Sequence, residues 1–174
     1  DASMIETDAG AVTFLNSSTG QFDGTAIAFA GMVDATNSLV GATQDDQIGS
    51  DGIQYITGST YGVLSPMFDN VGAGATESGA ISWYVPGSGL SGTVGAASSL
   101  LGAFDNDDVG GASNSFEFLN SGNRLLIIPD FDSSAGAVVF LDQAGPVSGV
   151  VDATTALIGT TANDNIGSGM GSVE

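Results

Sequence analysis

The chain has no cysteine and no histidine, and among its 174 residues only Arg124 is basic. Without cysteine there is no disulfide, no thiolate chemistry and no sulfur-ligated metal. Without histidine, a His-containing catalytic triad and a histidine zinc site are excluded. The single base stands against 20 acids, for a net charge of −19. Such a surface repels nucleic acid and anionic membranes. It also repels itself unless salt screens it or divalent cations neutralise it. The composition therefore predicts a secreted protein in a saline, calcium-containing exterior. No apolar run reaches the roughly 18 residues that a transmembrane helix needs, so no membrane insertion is expected. With no initiator Met and no signal-peptide pattern, the chain reads as a mature or excised product.

What is present is apolar and turn-rich. Hydrophobic residues make up 42% and there are 27 glycines, so this is not a disordered acidic tail. Only four acids are Glu (Glu6, Glu77, Glu117, Glu174), which leaves 16 Asp of the 20. Asp disfavours helix interiors and favours turns, which places the acids in loops.

One clause is written three times: "LVGATQDDQIGS" from residue 39, "LLGAFDNDDVGG" from 100 and "LIGTTANDNIGS" from 157. In each, two glycines stand 8 residues apart: Gly41 and Gly49, Gly102 and Gly110, Gly159 and Gly167. A fixed spacing between glycines predicts one turn geometry between two strands, with glycine where φ is positive or backbones approach closely. An opening strand precedes each clause, "GAVTFL" at Gly10, "GAISWY" at Gly79 and "GAVVFL" at Gly136. Val12 and Phe14, Ile81 and Trp83, Val138 and Phe140 share one parity, which is a strand period. From opening glycine to clause glycine is 31 residues in the first copy and 23 in the others, so the first carries 8 extra within "NSSTGQFDGTAIAFAG". Two stretches, "GIQYITGSTYGVLSPMFDN" and "SFEFLNSGNRLLIIPDFDS", each read as a β-hairpin that ends at a proline and a Phe-Asp pair. "DATNSLVG", "GAASSLLG" and "DATTALIG" have room for one helical turn each. The reading is all-β: about two and a half blade-like, four-stranded antiparallel repeats in one array, at 10–78, 79–135 and a partial 136–174. They do not close a propeller, which needs at least four blades.

The order Asp46-Gln47-Ile48-Gly49, then Ser65-Pro66, then Gly79-Ala80-Ile81 resembles the FG-GAP repeat of integrin-type β-propellers. The wording is closer still to repeats of uncharacterised function in very large bacterial surface and adhesin proteins. The matching residues are Gly10 to Phe14, Thr36 to Ser50 and Val63 to Asn70, then Gly79 to Trp83, Ser91 to Gly111 and Ile127 to Asp132. The resemblance implies β-propeller-like units on a secreted, cell-surface protein. Calcium-binding FG-GAP blades carry a D-x-D-G-D-like loop in the hairpin. The turns here, "TGSTYG" and "NSGNR", hold no acid, so that loop is not carried over.

The chemical candidates are acidic. Asp45-Asp46, Asp105 with Asp107-Asp108, and Asp164 between two asparagines have the oxygens a calcium ion takes. The same residue types shape turns by bonding nearby backbone N–H groups, and recurrence at one place in a repeat favours that role. "PDFDSS" reads as a sugar or cation site, or more simply as a hairpin exit with one inward Phe. Trp83 aligns with Phe14 and Phe140 and belongs to the core. Tyr84 lies on the opposite face. Arg124 reads as an ion-pair partner on the second hairpin. No pair of carboxylates is spaced as a glycosidase requires, and no enzyme is expected. The expected role is an extracellular building block of a filament, tube or adhesin, self-assembling through strand edges. The other reading is a calcium-assisted propeller module for a glycan or surface protein, with its loops near 20–30 and 71–78.

Overall fold

The computed structural model describes residues 7–119, 122–143 and 147–168. Among these described residues, fourteen short strands run in order: β1 (Ala11–Val12), β2 (Leu15–Asn16), β3 (Gln21–Phe22), β4 (Leu39–Val40), β5 (Ile53–Thr57), β6 (Thr60–Ser65) and β7 (Ala80–Tyr84). They continue with β8 (Gly92–Thr93), β9 (Ser99–Leu101), β10 (Ser115–Phe118), β11 (Arg124–Ile128), β12 (Ala137–Leu141), β13 (Gly149–Val150) and β14 (Ala156–Ile158). The chain is all-β. The element at Phe131–Ser134 is no true helix, because Asp132 and Ser133 sit at φ 45° and 57°.

The sheets do not respect the repeat boundaries. The first has the order β1-β4-β8, the middle one β13-β9-β7-β6-β5 and the last β10-β11-β12-β14, while β2 and β3 form a separate ribbon. The hairpin β5–β6 follows the first clause, yet it pairs with β7 of the second copy, Val63 opposite Ser82. Likewise β11 pairs with β12, Ile127 opposite Val138. The clause strand then adds antiparallel, β9 to β7 and β14 to β12. A two-residue strand from the following copy closes the row in parallel, β8 on β4 and β13 on β9. The expected four-stranded antiparallel unit is therefore a core of four to which a parallel fifth strand comes from the next copy. The sheets among the described residues close into neither a barrel nor a propeller.

Face-to-face stacking explains the composition. In β7, Ala80, Ile81, Ser82 and Trp83 are all buried, so both faces of this strand are covered. Leu39, Ile48, Val63, Ala80, Val94 and Leu101 pack between the first and middle sheets. Ile81, Leu100, Leu126, Val139, Leu141 and Val151 pack between the middle and last. Each leucine, isoleucine or valine among them contributes about 1.5–3 kcal/mol when taken from water. Small residues let the sheets approach, and their hydroxyls pair with each other: Ser82 and Ser99 at 2.7 Å, Thr13 and Ser38 at 2.6 Å. At the third copy the same pair is Val139 opposite Ala156.

"DATNSLVG", "GAASSLLG" and "DATTALIG" each make one turn, closed by Ser38 N–H to Asp34 O, Ser99 N–H to Gly95 O and Ala156 N–H to Asp152 O. The first copy's extra residues form the β2–β3 ribbon. No helix of the described residues is long and apolar enough to cross a membrane.

Candidate functional site

The repeated clause is a turn with a carboxylate at its centre. The residues flanking that carboxylate take the left-handed conformation in every copy: Asp45 and Gln47 at φ 64° and 45°, Asn106 and Asp108 at 61° and 56°, Asn163 and Asn165 at 65° and 53°. Asn and Asp tolerate that region better than other side chains, which accounts for the acid and amide run. The central aspartate works differently. Asp46 Oδ2 accepts from Ala42 N–H at 2.6 Å and Thr43 N–H at 2.8 Å. Asp107 Oδ2 accepts from Ala103 and Phe104 N–H at 2.7 and 2.8 Å. Asp164 Oδ2 accepts from Thr160 and Thr161 N–H at 2.8 and 2.9 Å.

The second oxygen reaches out of the clause. Asp46 Oδ1 accepts the Asp69 N–H at 3.0 Å, and Asp107 Oδ1 accepts the Asp132 N–H at 2.8 Å. Asp69 and Asp132 belong to the Phe-Asp pairs that leave the two hairpins, and Phe68 and Phe131 are buried beside them. The two acidic motifs of the sequence are thus one device, in which each of the first two clauses locks the exit of the hairpin that follows it. Asp46 and Asp107 are fully buried as a result, while Asp164 is exposed. Among the described residues, Asp164 Oδ1 has only the Thr161 hydroxyl, at 2.6 Å.

Burial sets the ionisation. It pushes the Asp107 carboxyl up, against the pull of the Asp132, Phe104 and Ala103 N–H groups. Burial also raises Asp108, opposed by the Ser113 hydroxyl. In exposed Asp164 the Thr161 hydroxyl, then the Thr161 and Thr160 N–H groups, bring the carboxyl down to about 2. A folded-state pKa below the ordinary 3.8 means stabilisation that is full above that value and lost as pH falls towards about 2. Asp34 and Asp152, lowered chiefly by the Thr36 and Thr154 hydroxyls, act in the same direction. Asp164→Asn is therefore expected to flatten the fall of the urea midpoint across that acid window, measured by fluorescence of Trp83.

The remaining acids are placed as follows. Asp45 is exposed and accepts from the Gln44 amide. Asp105 is exposed and accepts the Thr76 N–H at 2.8 Å, which ties the 71–78 loop to the clause. Asp108 accepts from the Ser113 hydroxyl at 2.7 Å. Among the described residues, no three of His, Cys, Asp or Glu gather as a metal group would. "PDFDSS" forms a hairpin exit around buried Phe131.

Trp83 lies in the core, its indole N–H donating to Val147 O at 2.6 Å. Tyr84 stacks on Phe14 with ring centroids 3.6 Å apart. Its hydroxyl donates to Asp23 at 2.9 Å, and it is pushed up to about 12 by burial and by that carboxylate. Phe140, the third member of the Trp83 set, is half exposed. Arg124 corrects the ion-pair expectation. Among the described residues its guanidinium lies against rings instead of carboxylates, 3.6 Å from the Phe118 centroid and 5.4 Å from Tyr55. A flat, weakly hydrated cation is suited to such a place. Arg124 is buried, so the native chain is expected to resist trypsin, and denaturant should release two fragments, read by mass spectrometry.

Two residues escape a reading of the sequence. Asn70 is buried and its amide donates to Gly102 O at 2.7 Å, bracing the clause of the next copy. Asp23, held down chiefly by the Gly87 N–H, links the first copy's extra loop to residues 84–87. The "FDN" and "FDG" contexts mark turns but not these long-range partners.

No curated protein and no solved structure matches this chain. The family described as a repeat of unknown function (DUF5650) matches residues 2–50, 56–111 and 119–168. Its three spans each carry one clause, the unit whose turn, central aspartate and strand edges are described above, and the chain belongs to this repeat family.

Proposed function

We propose that this is an extracellular structural repeat protein, a building block of a surface filament, tube or large adhesin that associates by β packing between units. The observation that supports the reading is the sharing of sheets. No copy is complete alone, because the clause strands β4 and β9 each take a parallel partner from the following copy. Such units stack by nearest-neighbour interfaces. The acids of the clause serve the turn and the hairpin exit, which fits a scaffold role. The hairpin and the antiparallel strands added to it are blade-like, in keeping with the FG-GAP resemblance. The net charge of −19 suits a saline exterior.

Electron microscopy of the material as isolated, before any chelator, is the test. Regular filaments or tubes are the expected result, and assembly should strengthen as salt is raised, because self-repulsion is screened beyond about 10 Å at 0.1 M. Discrete small particles at every ionic strength would sink the reading and justify a calcium and glycan binding screen.

A further inference from the structure

The two ends of the described chain expose the complementary halves of one interface that is built twice inside it. Within the molecule, Gly92 N–H donates to Ser38 O at 3.0 Å and Val94 N–H to Val40 O at 3.1 Å. One copy later, Val151 N–H donates to Leu101 O at 2.9 Å. In register, Gly92 lies opposite Leu39 and Gly149 opposite Leu100. The incoming valine and the receiving leucine are both buried: Val94 is 5% exposed and Val151 1%, Leu39 1% and Leu100 0%.

Position by position, Gly31 corresponds to Gly92 and Gly149, since each lies 10 residues before its clause glycine. All three share an unusual backbone angle, φ 118°, 108° and 116°. Gly31 thus already has the φ of its docked counterparts. Yet Met32 is 79% exposed and Val33 50%. At the other end Leu157, the counterpart of Leu39 and Leu100, is 68% exposed on β14, an edge strand. Beside it an apolar groove of about 640 Å³ is lined by Leu125, Val138, Phe140 and Ile166.

We infer that the edge of β14, which pairs only with β12 among the described residues, receives residues 31–33 of a second copy of this chain, in parallel, with Gly31 opposite Leu157 and Met32 opposite Ile158. The hydrogen bonds would run from Gly31 N–H to Ala156 O and from Val33 N–H to Ile158 O, as they do in the interior joins. The occupant follows from continuity: the same face is covered twice in this molecule, each time by this segment of a neighbouring copy. The contact is head-to-tail, so it repeats without using itself up and generates a ring or an open fibre. The inference rests on the building-block reading and names its joint.

The test uses two variants of the 174-residue chain, Val33→Glu and Leu157→Glu, each altering a side chain that is exposed in the single chain. A carboxylate at the joint is desolvated without a partner, so each variant should need a concentration higher by roughly tenfold or more to assemble. Thermal unfolding should be unchanged. Mixed together, the two variants should form a dimer and stop there, because one intact head meets one intact tail. Sedimentation velocity reads both results. Ser17→Glu, an exposed change away from the joint, should assemble like the wild type. If the wild type forms fibres and both variants form them equally well, this joint is wrong while the building-block reading stands. If the wild type stays monomeric at its highest soluble concentration in salt, both fall.

Discussion

Gly79→Ala is expected to cost about 3–6 kcal/mol, a large share of the roughly 5–15 kcal/mol that keeps a domain folded. Gly79 sits at φ +78°, where a side chain is strained. A Cβ there would also lie 2.3 Å from Val109 O and 2.4 Å from Val109 N. Those are backbone atoms of the second clause, in a parallel bridge with Gly79 itself, and they cannot rotate away. Relief would require the opening strand and the clause to separate. That would break the Gly102 N–H to Gly79 O bond at 3.0 Å and the Val109 N–H to Ser78 O bond at 3.2 Å. Gly74 supplies the comparison, because it has φ +72° with nothing within 4 Å of its Cβ position. Gly74→Ala should cost only the conformational penalty, about 1–2 kcal/mol. Urea titrations of the two variants decide the matter. Equal losses would mean that the close approach of the two strands contributes nothing.

Asp107→Ala is the second large effect, an expected loss of about 3–5 kcal/mol. Its carboxylate accepts the N–H groups of Ala103, Phe104 and Asp132 in a site that is fully buried. A buried donor left without an acceptor costs about 1–3 kcal/mol, and three are orphaned together. The sum is reduced because the charge itself is expensive to bury, which is why the carboxyl is pushed up. Asp164 holds the same place in the third clause, but it is exposed and locks no hairpin exit among the described residues. Asp164→Ala should therefore lose only a small part of what Asp107→Ala loses. The difference in urea midpoint between them measures the hairpin lock separately from the turn. Hydrogen exchange gives a second readout, since the Asp132 amide should lose protection in Asp107→Ala and keep it in Asp164→Ala. Comparable losses in the two variants would show that the aspartate serves its own turn only.

The sequence alone determined the repeat, its period and its all-β character. Those are local properties. Glycine spacing, strand alternation and turn-forming Asx residues each report the φ and ψ of a few neighbouring residues, and the clause meets the same needs three times. The two hairpins and the single turns before each clause were legible for the same reason. So was the preference of Trp83 for the core, because its parity follows from the strand period.

Only the tertiary structure decided which strands pair and which carboxylate does what. Asp45, Asp46 and Gln47 look alike on paper, yet two of them satisfy a left-handed backbone and one holds an N–H from a residue 23 positions away. Arg124 looked like an ion-pair partner among so many acids, and instead lies against the rings of Phe118 and Tyr55, the latter brought in from the middle sheet. The parallel joins at β8 and β13 were hidden because a two-residue strand has no periodicity to read. Chain spacing fixes the shape of a turn, but the partner of an edge strand or a buried carboxylate is chosen by which surfaces meet when the sheets stack. That choice is made between residues far apart in the chain, and no local pattern records it.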